Sequence, residues 1–444
     1  DLKFGLLMHW GPYSQWGIVE SWSICPEDYP WCRRTMGPDP QHYFRYLRSY
    51  EKLQTTFNPT KFNPQKWAEA AKAAGMRYVV FTTKHHDGFC MFDSKYTDYK
   101  ITSEKCPFYS NPKADIAKEI FTAFREKGLW AGAYFSKPDW HNEYYWHPYF
   151  PPLDRNVNYD PELHPDWWQK FVEYTHNQIM ELVTRYGPID ILWLDGGWVS
   201  KKTPDEIKAY YWSRLKEAKS GFIKNRVVSQ DIRLGELVQK ARQKKPDLIV
   251  VDRAVEGLYQ NYLTPENTIP DSIINVPWES CIISGGGWSW VPKAKYKSAE
   301  EVIKILINIV SKGGNLLLNI APRPDGEWDE EAYALLSEVG RWLKINGEAI
   351  YATRAWHTFK QGNVWFTRKK DDSAIYALVT DEMPKAIKIE NLKIINNTKI
   401  NMLGSTLELP WKYAGTGIEI SIPEQLRKNP PCKFAWAFKI PIKN

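Results

Sequence analysis

The chain has 444 residues, which is too long for one small core and suits one large domain with a smaller one. The formal net charge is +7, and the basic residues are scattered among acidic ones, so we expect no nucleic-acid-binding surface. No run of 18 apolar residues occurs, which argues against a membrane-spanning helix. Because the chain enters an apolar run directly at Asp1, we expect an upstream segment such as a signal peptide, and a periplasmic, secreted or lysosome-like location.

Aromatic residues make up 15% of the chain, including 22 Trp. Aromatic faces bind sugar rings, although a large barrel also buries many aromatics. The six cysteines contain no Cys-x-x-Cys pair, which argues against a zinc site. The sequence does not decide whether one or two disulfides form, and Cys25 and Cys32 are the nearest pair along the chain. We predict neither a metal nor another cofactor.

Short apolar runs alternate with amphipathic segments from residue 1 to about 350. The apolar runs predict strands at 4–10, 78–83, 129–136, 189–195, 248–252, 273–278 and 316–320. Helical spacing predicts helices at 116–124 and 168–183, and a capping box at Ser298 opens another. Seven or eight strand–helix units favour an α/β fold with a (β/α) TIM-like barrel.

A doubly wound sheet is the alternative, but it would show a Gly-rich phosphate turn after the first strand, where this chain has His9-Trp10-Gly11-Pro12. After the last predicted helix at 332–345, alternating strands predict a C-terminal antiparallel β-sandwich. The predicted domains are therefore a catalytic barrel at 1–350 and a sandwich at 351–444. The long aromatic loop at 137–166 is predicted to be functional.

The most informative stretch is 188–198, an apolar run that stops on Asp195, followed by two glycines and flanked by tryptophans. Enzymes built on (β/α) barrels place their chemistry at the carboxyl ends of strands, so we predict Asp195 to be the nucleophile of a glycoside hydrolase. Neutral His and Arg side chains suit sugar hydroxyls. The other predicted strand ends and the segments beyond them supply such groups and further carboxylates: His9, His85, His86, Arg253, Glu266 and Glu279.

Each of these residues also has a structural explanation. His9 could be a satisfied core histidine, and Asp195 could cap the next helix. Adjacent His85 and His86 would point to opposite sides unless the strand ends before them. Glu279 could be an exposed residue at a strand end. The convergence of five strands on one polar ring favours a functional site.

The motifs along the barrel resemble those of the alpha-L-fucosidases of glycoside hydrolase family 29. In order they are KFGLLMHWG at 3–11, YVVFTTKHHDG at 78–88, WLDG at 193–196, DR at 252–253, TPE at 264–266, WE at 278–279 and SKGGNLLLN at 311–319. The resemblance implies a barrel with a C-terminal β-sandwich. It also implies hydrolysis of terminal alpha-L-fucosides with retention of configuration.

The resemblance assigns Asp195 as the nucleophile. It favours Glu266 as the acid/base, with Glu279 as the second candidate. The substrate-binding residues that we predict with it are His9, Trp10, Glu20, His85, His86, Tyr134, Trp193, Arg253 and Trp288.

At three positions of this pocket the resemblance assigns a residue less directly. Relatives often carry a Glu directly before a Trp in the first loop, whereas here Ser21 separates Glu20 from Trp22. Tyr134 and Phe135 both stand where relatives place a pocket aromatic. The methyl group of fucose needs an apolar wall, for which Trp193 and Trp288 are the candidates.

The predicted reaction is a double displacement, with the two carboxyl groups about 5–5.5 Å apart. The predicted partner is a fucosylated oligosaccharide or glycoconjugate, and the linkage preference and the oligomeric state stay open. One alternative is a retaining exo-glycosidase for a related galacto-configured sugar. Another is a carbohydrate-binding barrel without turnover, although paired carboxylates argue against it.

Overall fold

The computed structural model describes residues 1–217 and 226–442. Strands and helices alternate through its first part. In chain order they are β1 (Phe4–Met8), α1 (Tyr43–Glu51), α2 (Pro64–Ala73), β2 (Tyr78–Lys84), α3 (Ile116–Glu126), β3 (Trp130–Ser136), α4 (Pro165–Arg185), β4 (Ile191–Asp195), α5 (Pro204–Glu217), α6 (Leu234–Lys244), β5 (Ile249–Asp252), β6 (Glu279–Ile283), α7 (Ala299–Ser311), β7 (Asn315–Asn319) and α8 (Glu330–Asn346). Among these described helices we find none with the length and apolar character to cross a membrane.

The seven strands β1 to β7 form one parallel sheet in the order β5-β4-β3-β2-β1-β7-β6. Most of their residues are buried on both faces, as expected when a parallel sheet is covered by helices. Side chains fill the inside of the curled sheet, so the interior is packed and is not a channel. They are Leu7, Tyr78, Val80, Tyr134, Ile191, Trp193, Val251, Cys281 and Leu317. The predicted barrel class is confirmed.

The edge strands β5 and β6 do not pair with each other within the described sheet. The irregular segment 260–267 lies between them and bonds to both sides. Asn261 donates its N–H to the Val250 carbonyl at 3.0 Å, and Glu279 donates to the Leu263 carbonyl at 2.8 Å. Segment 260–267 therefore takes the place of an eighth strand.

The predicted strand at 273–278 is wrong. Within this stretch only Trp278 pairs, in an isolated parallel bridge with Leu263, and β6 begins at Glu279. Pro277 has no N–H to donate to a neighbouring strand, which keeps this stretch out of a regular ladder. The capping box is confirmed, since Ser298 donates its N–H to Glu301 at 2.7 Å and its hydroxyl accepts from the Glu301 N–H at 3.2 Å.

The loops at the carboxyl ends of the strands have a hydrophobic cluster of their own. The first loop contains three short 3-10 helices, Pro12–Trp16, Glu20–Ile24 and Pro30–Cys32. Aromatics of the loop at 137–166, including Trp140 and Tyr145, are buried against it. These loops therefore form a firm rim rather than a loose covering.

The rest of the chain forms two antiparallel sheets around a second core. Its elements are β8 (Thr353–Gln361), β9 (Val364–Lys369), β10 (Ala374–Val379), β11 (Ala386–Ile389), β12 (Asn401–Met402), β13 (Trp411–Ala414), β14 (Gly417–Ser421), α9 (Glu424–Lys428) and β15 (Trp436–Pro441). The strand orders are β12-β15-β10-β9-β8 and β11-β14-β13, which confirms the predicted sandwich. Trp342 of α8 donates to the Ala435 carbonyl at 2.8 Å, so the two parts share buried contacts. The domain boundary at residue 350 stays a prediction.

Asn267 ends the irregular segment with a left-handed backbone, at a φ of +49°. Its side-chain oxygen accepts the Ile283 N–H at 3.0 Å. We expect Asn267→Ala to lower the free energy of unfolding by about 1–2 kcal/mol, because it loses this bond and adopts the left-handed region at a cost. Urea unfolding measures the change. Asn267→Asp keeps the acceptor and tolerates this backbone, so it should stay close to wild type, and equal stability of the alanine variant would contradict the assignment.

Candidate active site

A cavity of about 550 Å³ lies at the carboxyl ends of the barrel strands. A larger space of about 790 Å³, lined by residues of segments 153–172, 201–211 and 226–233, contains none of the predicted site residues. The polar and aromatic side chains that line the smaller cavity are His9, Glu20, Trp22, Trp31, His85, His86, Tyr134, Arg155, Trp193, Asp195, Trp198, Arg253, Glu266 and Trp288. Its position agrees with the usual place of chemistry in this fold.

Asp195 is the last residue of β4, as the sequence predicts. Its carboxylate accepts hydrogen bonds from Arg253 Nη1 at 3.0 Å, the Tyr134 hydroxyl at 2.6 Å and the Gly196 N–H at 2.7 Å. Burial alone would raise the pKa of Asp195, but Arg253, the nearby His86 ring and these hydrogen bonds outweigh it and hold the pKa well below its usual range. Asp195 is therefore ionised across the working pH range of proteins.

Arg253 directly follows β5 and connects the two predicted catalytic residues. One of its terminal nitrogens bonds to Asp195, and the other bonds to the Glu266 carboxylate. Glu266 also accepts from Trp288 Nε1 at 3.0 Å, and its side chain is 43% exposed at the cavity mouth. Although burial lowers the pKa of Arg253, the two carboxylates raise it above its usual value. One cation thus holds both carboxylates at the same place.

The three predicted histidines line the inner part of the cavity. Strand β2 ends at Lys84, so His85 and His86 are free of strand alternation and both turn to the cavity, with ring centroids 4.2 Å apart. His9 Nδ1 bonds to Asn319 Oδ1 at 3.0 Å. Burial lowers the pKa of His9 to about 4 and that of His86 to about 3. At neutral pH these rings are neutral. Since the Asn319 oxygen can only accept, His9 donates its Nδ1–H to it and keeps Nε2 as an acceptor for a hydroxyl group.

Glu20 reaches the cavity despite the altered spacing in the first loop. Ser21 turns away and bonds to His85 Nδ1 at 2.6 Å. One oxygen of Glu20 accepts the Ser289 N–H at 2.8 Å, and the other is buried without a hydrogen-bond partner among the described residues. Burial, helped by nearby Glu266 and Asp195, raises the pKa of Glu20 to about 8. Glu20 is therefore a neutral acid at pH 7 that has one unused oxygen.

The structure decides between the two candidate aromatics of β3. Tyr134 lines the cavity and bonds to Asp195, whereas Phe135 lies in the outer core with the Lys84 ammonium 4.2 Å from its ring centre. Trp193 stacks on Tyr134 at 5.3 Å. Trp288 lies on the other side, with its ring 5.3 Å from that of His9.

Within the described part of the chain, two groups of side chains have the composition of metal ligands. One ligand atom each of His85, His86 and Asp195 lies within 4.8 Å of the others. Asp195 already binds Arg253, a cation that would repel a metal ion at this place. The absence of a metal stays a prediction.

Cys25, Glu27 and Cys32 form the second group. Glu27 is already paired with Arg155 and Arg226. In the structure the six cysteines are free thiols, so the Cys25–Cys32 disulfide that the sequence left open is not formed.

Comparison with known proteins agrees with this geometry. The family profile described as "Alpha-L-fucosidase" matches residues 1–348, and that described as "Alpha-L-fucosidase C-terminal domain" matches 358–441. The chain belongs to the alpha-L-fucosidase family. It is similar to the tissue alpha-L-fucosidase of Rattus norvegicus, with 30% identity over 464 residues that cover 99% of this chain and 88% of that protein.

Solved structures of fucosidases have the same fold. Alpha-L-fucosidase isoenzyme 1 from Paenibacillus thiaminolyticus matches with a TM-score of 0.77 at 28% identity, over 100% of this chain and 97% of that one. A glycoside hydrolase family 29 alpha-L-fucosidase from Bacteroides thetaiotaomicron, trapped as a covalent intermediate in complex with 2-fluoro-fucosyl fluoride, matches at 0.72 and 25%, over 100% and 95%. The chain is thus a fucose-hydrolysing glycosidase of family 29, and the predicted family and enzyme class are confirmed.

Trp10 does not line the cavity of this fucosidase, contrary to its predicted role in substrate binding. It follows His9, and neighbouring residues of an extended chain point to opposite sides. Its ring packs in the layer between sheet and helices, 5.5 Å from Trp67 and 5.8 Å from Phe57. Trp10 therefore supports the barrel rather than the sugar.

Glu279 also lies outside the cavity, and it is not an exposed strand-end residue. It is the first residue of β6, so it lies at the amino end of the barrel interior, and Cys281 separates it from the cavity. It accepts from the Tyr78 hydroxyl at 2.6 Å and from Trp193 Nε1 at 3.2 Å. A carboxyl group sealed in this way does not meet a glycosidic oxygen, which removes the second candidate for the acid/base.

The outer wall of this fucosidase pocket consists of residues that were not predicted: Trp22, Trp31, Arg155 and Trp198. Trp198 ends the glycine-containing motif after Asp195, so its position in the sequence could have indicated a place in the cavity wall. Arg155 comes from the loop at 137–166, which was predicted to be functional, but no spacing marks this arginine. The wall forms only when the loop after β1 and the loop at 137–166, which follows β3, come together in the folded protein.

Burial raises the pKa of Glu279 from 4.5 to about 7. Between these values the folded protein keeps a proton that the unfolded chain releases, so the free energy of unfolding falls as pH rises. Glu279→Gln cannot ionise. Compared with this variant, the wild type should lose on the order of 3 kcal/mol of stability between pH 4.5 and 7. Urea unfolding over this range measures the difference, and parallel curves for the two proteins would contradict it.

Proposed function

We propose that this fucosidase is a retaining exo-glycosidase that releases terminal alpha-L-fucose from oligosaccharides or glycoconjugates by double displacement. The supporting observation is that Asp195 and Glu266 bond to two nitrogens of one guanidinium group. This keeps the two carboxyl groups near each other, as the retaining mechanism requires, with a typical separation of about 5–5.5 Å. For its location, a periplasmic, secreted or lysosome-like compartment remains our prediction.

Asp195 is the proposed nucleophile. Its low pKa keeps it ionised, and the bonds from Tyr134 and Gly196 orient the carboxylate. In the first step an oxygen of Asp195 bonds to the anomeric carbon, and the bond from that carbon to the leaving oxygen breaks. A covalent fucosyl-enzyme results. The covalent intermediate trapped in the Bacteroides relative supports this covalent step by similarity.

Glu266 is the proposed acid/base. It gives its proton to the leaving oxygen in the first step. In the second step it takes a proton from water, whose oxygen bonds to the anomeric carbon while the bond to Asp195 breaks and fucose is released. In the substrate-free structure Glu266 is bound to Arg253 and Trp288. Because its side chain is 43% exposed, it has room to rotate. We expect it to leave Arg253 when the glycosidic oxygen enters between the two carboxyl groups.

The inner end of the cavity supports recognition of a single terminal sugar. Leu7 and Cys281 form its floor, and the packed barrel interior lies beneath them, so a chain of sugars does not pass through. Neutral histidines and the unpaired oxygen of Glu20 offer hydrogen bonds to ring hydroxyls. Trp193 and Trp288 supply flat apolar surface for the methyl group of fucose.

Variants of the two carboxylates test the mechanism. Asp195→Ala should lower kcat for an aryl alpha-L-fucoside on the order of 10⁴-fold, and Glu266→Ala about 10²–10⁴-fold for a substrate with a poor leaving group. On the aryl alpha-L-fucoside, azide should restore turnover in both variants. It should yield the fucosyl azide of inverted configuration with Asp195→Ala and that of retained configuration with Glu266→Ala. NMR of the products distinguishes them.

Glu279→Gln is the matched control in this assay. It should keep most of the activity and show no azide product, because Glu279 does not line the cavity. Rescue of a Glu279 variant, or normal turnover of Asp195→Ala, would refute the assignments.

A panel of aryl glycosides tests the sugar preference. The alternative substrate is a galacto-configured sugar, which carries a hydroxymethyl group where fucose has a methyl group. The proposed apolar wall leaves such a hydroxyl without a partner. We expect kcat/KM to be about 100-fold higher for the alpha-L-fucoside. Equal values would overturn the proposed preference without touching the roles of the carboxylates.

A further inference from the structure

We propose that Trp31 is the platform that binds the leaving-group sugar, and that this sugar is a neutral pyranose stacked on the indole ring. The inference deepens the proposed function, since it concerns the ring to which fucose is attached. It concerns a residue that neither the sequence motifs nor the catalytic geometry single out.

The cavity is larger than one deoxy-sugar requires. Its volume of about 550 Å³ falls in the range of sites that hold drug-sized ligands. Its inner end is closed by the barrel interior, so the sugar attached to fucose extends toward the opening. The side chains at the opening therefore contact the leaving group first.

Trp31 lies at this opening. It lines the cavity, and 45% of its surface is exposed. One face of its ring stacks on Tyr29, with centroids 4.6 Å apart and planes 7° apart. A ring supported on one face and exposed elsewhere is suited to receive the C–H face of a sugar.

Ion pairs next to Tyr29 hold the platform in place. The Arg155 guanidinium lies 5.4 Å from the Tyr29 ring centre and pairs with the buried Glu27 carboxylate, Nε to Oε2 at 2.9 Å. Arg226 Nη1 bonds to the other oxygen of Glu27 at 3.2 Å. Tyr29 and hence Trp31 are therefore positioned in advance, which reduces the entropy lost on binding.

An aromatic wall connects the platform to the reacting centre. His86 lies 3.9 Å from the Asp195 carboxylate, and the Trp22 and Trp198 rings are each 5.1 Å from the His86 ring. The Arg155 guanidinium follows, 4.8 Å from the Trp22 ring centre. The wall thus runs without interruption from the nucleophile to the rim.

Charge along this wall favours a neutral sugar. Arg155 is a cation that lines the cavity next to Trp22 and Tyr29, and its charge is balanced by Glu27. Glu27 is in turn shared with Arg226, whose Nε lies 3.2 Å from Asp154. Because these charges are paired with one another, the wall offers stacking surface rather than an anion site.

The test compares two leaving groups. Alpha-L-fucosyl fluoride has a leaving group of one atom and does not reach Trp31. The second substrate is the fucosyl disaccharide, with a neutral hexose or N-acetylhexosamine, that the wild type cleaves fastest. Trp31→Ala should lower kcat/KM for the disaccharide about tenfold and change that for the fluoride less than about twofold. Trp31→Phe, which keeps an aromatic face, should retain at least about a third of the disaccharide activity.

Two controls separate the outcomes. Trp212→Ala removes another exposed tryptophan, 58% exposed on α5 and outside the cavity wall, and should leave both substrates unaffected. Trp31→Gln replaces the alanine variant if that protein does not fold, since it keeps bulk without an aromatic face. Equal loss on both substrates, or no loss on the disaccharide, would overturn the platform. Failure of the wild type to cleave the fluoride would instead overturn the proposed function.

Discussion

The active site depends on one guanidinium group placed between two carboxylates. Arg253 directly follows β5, so a barrel strand fixes the position of this cation. Its bonds to Asp195 and Glu266 hold the two acids side by side. Without the cation, the carboxylates would repel each other, and burial would favour a protonated Asp195. An ionised Asp195 in a largely buried cavity is therefore a consequence of Arg253.

Glu266 reaches this cation because a regular strand does not close the barrel. Segment 260–267 fills the gap between β5 and β6 and bonds to both, so the backbone loses few hydrogen bonds there. A regular strand alternates its side chains between interior and exterior. The irregular backbone, with Asn267 in the left-handed region, lets Glu266 lie at the cavity mouth, where it is partly exposed.

Burial sets the protonation of the remaining polar groups. It keeps His9 and His86 neutral and raises the pKa of Glu20, because desolvation penalises their charged forms more than the neighbouring groups stabilise them. Around Asp195 the cavity thus contains one cation shared by two carboxylates, among neutral donors and acceptors. This combination suits a neutral sugar, whose hydroxyls need hydrogen bonds but no countercharge.

The sequence by itself determined the strand–helix alternation, the antiparallel sandwich and the end of a buried strand at Asp195, because these follow from the local periodicity of apolar residues. Tertiary structure decided the rest. Pairing with distant strands decided whether the Trp10 side chain points into the cavity or toward the helices. It also decided whether a strand begins or ends at Glu279. Arg155 and Trp31 come from loops more than a hundred residues apart, and they share one wall only because β1 and β3 place both loops at the same end of the barrel.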